Sequence, residues 1–383
     1  MDPVARTKPR LTDAQRLAWL RLIRSENVGP VAFRQLVNRF GSAAAALDAL
    51  PDLVRRGGKR TINIAPLEAA EREMELARAT GAEFVALGEA PYPRALLAAD
   101  GPPPLLAVLG SMELLGEPCV GIVGSRDASV AGAKITKRIA ETAGQGGYAI
   151  VSGLARGIDA AAHEASLATG TIACLAGGLD KPFPPENVPL MRRIVEDGGA
   201  VVSEMPFGWV PRARDFPRRN RLIAGSSLAV VIVEAAQRSG SLITARLANE
   251  MGRLVFAVPG SPLDPRAMGT NALIKQGAIM LTRAQELLDE LRPMEGSLPQ
   301  PVAQETLFDA LPDRFDPDAD EPATGERERV VEALSTTPIL IDEVISHADA
   351  HPAVVHTALL ELELAGRLER HSGGFVSLVL ADL

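Results

Sequence analysis

Residues 120–126 read Val-Gly-Ile-Val-Gly-Ser-Arg, and a helical pattern follows from about Ala131. Residues 120–123 carry no polar side chain, so neither face of the strand they predict is meant for water. That is how a parallel strand reads when helices cover both its sides. The same grammar returns at residues 149–151, 171–176, 200–202, 229–233 and 254–258, with helical segments between them. Strands alternating with helices predict an α/β, Rossmann-like doubly wound, mainly parallel sheet. Ligands of such sheets sit beyond the carboxyl ends of the strands, so the residues that leave each strand are the ones to read for chemistry.

The first strand leaves through Gly124-Ser125-Arg126. Small residues let a phosphate approach the backbone at a helix N-terminus, and Arg126 adds a charged fork. The pattern is not GxGxxG, it has no acidic ribose ligand about 20 positions on, and the chain has no GxxxxGK[ST] loop. No cofactor is therefore expected, neither a dinucleotide nor a nucleoside triphosphate. The second strand leaves through Ser-Gly-Leu-Ala-Arg-Gly-Ile-Asp, residues 152–159, which contributes Gly153 and Arg156. Asp159 and His163 share a helical face. They read either as an acid/base pair or, in the commoner use, as a carboxylate capping backbone amides beside a packed histidine. No serine or cysteine nucleophile is placed beside them, so no triad follows from spacing.

The third strand ends in Gly177-Gly178-Leu179-Asp180, followed by Lys181 and Phe183. A lysine next to a ring suits phosphate attraction with base stacking, although Phe183 can equally plug its loop. The densest charge is the run from Arg212 to Arg221, five arginines against Asp215, with Phe216, Arg218, Arg219 and Asn220 inside it. Such runs are commonly solvated loops. This one falls between two strands at the ligand edge, which favours a positive site for nucleic-acid phosphate. Ser239-Gly240-Ser241 and Pro259-Gly260 add small residues to the same rim.

Composition limits what the site can be. The net charge of the 383 residues is −8, so bulk attraction cannot coat the protein with nucleic acid, yet acids concentrate between residues 291 and 328 and leave a more basic centre. Only 4% of residues are aromatic, so base stacking must rest on few rings. Cys119 and Cys174 are far apart, outside any metal spacing, and read as buried packing residues. The first 24 residues are broken by charges, and no apolar run reaches about 18 residues. A cytoplasmic location without a membrane partner is expected.

The flanks have their own patterns. Leu17, Leu20, Ile23 and then Phe33, Leu36, Val37, Phe40 recur at helical spacing around Asn27-Val28-Gly29-Pro30. That turn reads as a helix-hairpin-helix able to hold a DNA phosphate on its amides, or as an ordinary helix breaker. A further helix is expected at 66–80, then a proline-rich passage at 91–104. Residues 326–334, 340–345 and 352–364 read as three helices, and 367–371 with 375–378 as a hairpin around Ser372-Gly373-Gly374, the order of a winged helix-turn-helix. Its recognition helix, 352–364, lacks Lys and Arg and carries Glu361 and Glu363, which ill suits a major groove. The expected division is an N-terminal helical (SAM/helix-hairpin-helix-like) domain at 11–82, the sheet domain at 83–292, a mobile acidic linker at 293–324 and the winged helix at 325–383.

Taken together, Val-Gly-Ser-Arg (123–126), the 152–159 loop, Gly-Gly-Leu-Asp (177–180), Phe-Pro-Arg-Arg-Asn-Arg-Leu-Ile-Ala-Gly (216–225), Ser-Gly-Ser-Leu-Ile-Thr-Ala (239–245) and Phe-Ala-Val-Pro-Gly (256–260) resemble the DNA-processing protein A family, also called Smf. The resemblance implies a single-stranded-DNA-binding recombination mediator that protects DNA imported in natural transformation, helps load the RecA recombinase and is not an enzyme. It carries DNA binding over to Arg126, Lys181 and Phe183, with Arg156, Arg218, Arg219 and Arg221 matching family arginines. With the loop residues Gly124, Ser125, Gly153, Gly178, Asn220, Ser239 and Gly240 these make the expected DNA site. It also implies a homodimer through the late part of the sheet domain, near Asn271, Ile274 and Met280. Two other classes compete: a nucleotide-processing hydrolase of a related fold, whose PGGxGT-type loop is here Ser-Gly-Ser-Leu-Ile-Thr-Ala after Glu234, and a transcription regulator acting through the winged helix.

Overall fold

A computed structural model describes residues 10–99, 101–292, 322–371 and 373–379. It resolves into two compact units, one of residues 1–74 with 302–383 and one of residues 75–301. Most of the expected acidic linker, and Ser372 of the hairpin turn, lie outside the described residues.

The chain opens with α1 (Asp13–Arg24), started by a capping box in which Thr12 accepts the Gln15 amide and Gln15 accepts the Thr12 amide. After Gly29, Pro30 supplies a φ already suited to the first position of α2 (Pro30–Phe40), and Ser42 caps α3 (Ala43–Arg56). Trp19 meets Phe33 edge to face at 4.9 Å, over a core of Leu20, Leu36, Leu50 and Val54. α4 (Leu67–Ala79) follows and is tied back by the Arg24–Glu73 pair.

The second unit is a nine-stranded sheet. In chain order it holds β1 (Ala82–Ala86), the single turn α5 (Arg94–Leu97), β2 (Leu105–Gly110), β3 (Cys119–Gly124), α6 (Val130–Gln145), β4 (Ala149–Ser152), α7 (Ile158–Ser166), β5 (Thr171–Cys174), α8 (Val188–Glu196) and β6 (Ala200–Ser203). It continues with α9 (Asp215–Ser226), β7 (Ala229–Val233), α10 (Gly240–Glu250), β8 (Leu254–Ala257), α11 (Met268–Lys275), β9 (Ile279–Met280) and α12 (Ala284–Leu291). The spatial order is β1-β2-β6-β5-β4-β3-β7-β8-β9; the β1–β2 and β2–β6 pairings are antiparallel and the others are parallel. The expected strands are all present. β1, β2 and β9 were not expected.

Each face of the sheet is dry, as the unbroken apolar runs require. Cys119, Val123, Val151 and Ile232 join one core with Leu222, Ile223 and Ala248, while Val120, Ile122, Ile150 and Val231 join the other with Ile139, Ala162 and Leu287. Burying each large side chain of this kind is worth about 1.5–3 kcal/mol. The parallel part of the sheet starts in the middle at β3, works outward to β6, then crosses to β7 on the other side of β3. This reversal makes the carboxyl ends of β3 and β7 the switch point of the sheet.

The C-terminal segment belongs to the same unit as α1 to α3. It comprises α13 (Thr324–Glu332), β10 (Ile339–Leu340), α14 (Ile341–Ala348), α15 (Pro352–Leu364), β11 (Leu368–His371) and β12 (Phe375–Leu378), with the strands in the order β10-β12-β11. Val330, Val344, Val355, Leu359, Leu362 and Val376 form its core. The element order is that of a winged helix, with one more short strand, β10, than the sequence suggested.

Candidate nucleic-acid interface

At the switch point β3 ends at Gly124, a position where nothing larger fits. A Cβ there would lie 1.8 Å from the Val233 carbonyl oxygen of β7. The chain then turns through Ser125, whose hydroxyl accepts the Asp127 amide and whose carbonyl accepts the Ile158 amide. α6 starts after Ser129, and this helix N-terminus is already occupied by an anion. The Glu234 carboxylate accepts the Ser129 amide at 2.9 Å and the Ser129 hydroxyl, and Gly132 keeps the space clear for it. Glu234 holds a left-handed φ of 55°, which a non-glycine residue adopts only when its surroundings enforce it. The place where a doubly wound fold would hold a nucleotide phosphate is thus filled by the protein's own carboxylate.

The β4–α7 loop is organised by Asp159. This buried carboxylate accepts the amides of Gly153 and Ala155 and faces the buried Arg219. Burial pushes its pKa up, and Arg219 pulls it back. His163 is fully buried, with Nδ1 2.7 Å from the Thr171 hydroxyl, which itself donates to the Ile150 carbonyl. Burial and the Arg219 charge lower the His163 pKa to about 3, so the ring is neutral. The pair therefore has the capping-and-packing form, not that of an acid/base pair open to substrate. Both cysteines are buried, and burial first of all raises each thiol to about 12, which leaves them inert.

The arginine run divides by direction. It is a loop only as far as Arg214; from Asp215 it is α9, so successive side chains point to different sides. Asp215, buried, pins the preceding loop by accepting the Trp209 indole N–H and the Arg212 amide. Arg219 turns inward, donates to the Cys174 carbonyl at 2.8 Å and lies so close to Gly153 that a Cβ there would sit 1.9 Å from its Nη1. Arg221 donates to the Gly101 carbonyl and pairs with the buried Glu204, which also accepts Arg218 Nε at 3.1 Å. Arg218 stays half exposed, while Arg212 and Arg214 are exposed, with Arg212 stacked 5.0 Å over Trp209. Arg219 and Arg221 thus build the rim from inside, and only the others present charge to solvent.

What faces outward is a small aromatic platform ringed by cations. Phe183, 47% exposed, meets Phe216 edge to face at 5.7 Å, and the Arg126 guanidinium lies 5.4 Å over the Phe216 ring. A cavity of about 220 Å³ between them is lined by Arg126, Gly153, Arg156, Phe183, Phe216 and Arg219. Arg126 and Arg156 are exposed and form no ion pair among the described residues, and Lys181 has only Asp180, at 3.8 Å. Gly178 lies behind, packed against the Pro206 carbonyl. Next to it, a cleft of about 490 Å³ is bounded by Ser125, Arg126, Asn220 and the N-terminus of α10. There Ser239 caps the helix, Gly240 opens onto free space and Asn220 donates to the Gly240 carbonyl. Arg238 also lines this cleft, is exposed and was missed in the sequence, although it directly precedes Ser239-Gly240-Ser241.

The residues expected at a dimer contact lie elsewhere in this unit. Asn271 exchanges two hydrogen bonds with the backbone of Gly260, Ile274 is half-buried and Met280 is 52% exposed. Among the described residues, no three metal-binding side chains converge and no helix is long and apolar enough to cross a membrane.

The family model for DNA recombination-mediator protein A matches residues 83–292, that for the DprA-like N-terminal HHH domain matches 13–76 and that for the DprA winged helix domain matches 316–374. The chain is 42% identical to Protein Smf of Escherichia coli over 290 residues, 75% of each chain, and 31% identical to Protein Smf of Synechocystis over 95% of this chain and 98% of that one. The X-ray structure of DNA processing protein A from Streptococcus pneumoniae superposes with a TM-score of 0.58 at 32% identity, covering 74% of this chain and 99% of that one. A second solved relative, DNA processing protein A from Helicobacter pylori, whose structure concerns its single-stranded DNA binding mode, gives 0.51 at 29% identity over 55% of this chain and 95% of that one.

Proposed function

The chain belongs to the DNA recombination-mediator protein A family, and from that premise we propose that it binds single-stranded DNA along the carboxyl ends of its parallel strands, protects it during natural transformation and passes it to RecA. One observation carries the reading: exposed Phe183 and half-buried Phe216 beside Arg126, Arg156 and Lys181, cations with little or no internal neutralisation. Flexible, unpaired bases can stack on such rings while their phosphates meet the arginines and the α10 N-terminus; a duplex keeps its bases out of reach. Arg218, Arg219, Asn220 and Arg221 serve chiefly to hold this platform in place.

The role is binding without turnover, in the cytoplasm, by a homodimer formed near Asn271, Ile274 and Met280. Supporting the absence of hydrolysis, Glu234 is directed at α6 rather than into the cleft. The test is fluorescence anisotropy with a short single-stranded oligonucleotide at low salt. Binding should weaken steeply with salt and fall when Arg126 and Lys181 are both replaced by alanine. Intact affinity in that double variant would refute the site, and release of free base from nucleoside monophosphates would refute the non-catalytic role.

A further inference from the structure

The recognition helix of the winged helix is already in use. In α15, Val355, Ala358, Leu359 and Leu362 face the winged helix's own core. A second stripe, Val354, Thr357, Glu361 and Leu364, is also buried, at spacings of three and four that place it along one further helix face. This stripe meets the N-terminal helices of the same unit. Arg39 of α2 donates to the Thr357 hydroxyl at 3.0 Å, Asn27 of the helix-hairpin turn donates to the Leu364 carbonyl at 3.0 Å, and Arg367 donates to the Gly57 carbonyl at 3.1 Å. The Glu361 carboxylate is held by both arms of Arg327, with Arg56 at 4.0 Å.

Gly57 shows how close the approach is. It ends α3 with φ −69° and ψ −4°, a conformation open to any residue. Yet a Cβ there would lie 2.0 Å from the Glu361 carbonyl oxygen. Nothing in its own backbone asks for glycine; the docked helix does. The charges agree, since α15 carries Glu361 and Glu363 and no Lys or Arg, while Arg39 and Arg56 come from the N-terminal side. A helix that reads a major groove has the opposite distribution.

We infer that the recognition-helix face of the winged helix is a protein-docking surface occupied by α2 and α3 of its own chain, and that the protein does not read duplex DNA through this helix. The winged helix instead holds α2 and α3 to the C-terminal segment within one unit.

The test is hydroxyl-radical footprinting of the full chain. Val354 and Leu364 should be shielded in the natural protein and oxidise several-fold faster in Gly57→Ala and in Arg39→Glu. Val355 and Leu359, in the winged helix's own core, should stay shielded in both variants, which separates undocking from unfolding. Adding duplex oligonucleotide to the natural protein should leave Val354 and Leu364 unchanged. The inference is overturned if the docking stripe is as shielded in both variants as before, if core and stripe open together, or if duplex DNA alters the stripe. None of these results depends on where single-stranded DNA binds.

Discussion

Replacing Arg126 with alanine should weaken single-stranded DNA binding without weakening the fold. Arg126 is exposed, its guanidinium rests on Phe216, and it forms no ion pair among the described residues. Its removal therefore leaves no buried carboxylate uncompensated, and stability should stay within about 0.5 kcal/mol. A hydrogen bond from a charged donor to phosphate contributes about 1.5–3 kcal/mol, and because this site is open to solvent the lower part of that range applies. A loss of about 2 kcal/mol corresponds to roughly thirtyfold in Kd. One fewer phosphate neutralised should also shrink the slope of log K against log salt by about 0.7. Anisotropy titrations at several salt concentrations, with thermal unfolding of the same sample, read all three quantities. An unchanged Kd and slope would refute the placement of DNA at Arg126. A large fall in Tm would refute the reasoning that this arginine is free of the fold.

The neighbouring positions should respond differently. Arg219→Met should cost about 1–3 kcal/mol of stability by leaving the Cys174 carbonyl without its donor and the buried Asp159 carboxylate without the charge it faces, seen as a lowered unfolding midpoint; an unaltered midpoint would mean that Arg219 supports neither group. Phe183→Ala should lose about 1–3 kcal/mol of affinity for oligothymidine, and this loss should vanish on an abasic strand, since what is removed is stacking. His163 has a folded pKa of about 3 against an ordinary value of 6.5, so the unfolded chain binds the extra proton between those values. Its contribution is complete above about pH 6.5 and is lost as pH falls towards 3, by at most about 1.4 kcal/mol per pH unit. His163→Gln should flatten the acid limb of the stability profile over that window, and an identical limb would contradict the burial of a neutral ring.

The parallel strands were legible because burial on both faces leaves an apolar run bounded by glycine loops, as at 120–124. β2 was not. Its run at 105–110 follows Pro102, Pro103 and Pro104, and successive prolines have the pattern of a passage between units, which masks the antiparallel strand that begins beyond them. β9, two residues long, gives no period to read. The loops of the site were found from their small residues, but the arginine run was read as one charged segment. A string of arginines says nothing about direction until the start of α9 is known, and that start at Asp215 is what sends Arg219 to the core and Arg221 to Glu204. Arg238 is not legible in the sequence, because a lone arginine before a small-residue loop carries no pattern.

Where the bases lie is tested most directly by ultraviolet crosslinking of an oligothymidine to the full chain, with mass-spectrometric identification of the attached residues. The expected result is attachment at Phe183 and Phe216, suppressed by unlabelled single strand and little affected by duplex. Crosslinks confined to α1–α3 or to the winged helix, with the two rings untouched, would contradict it.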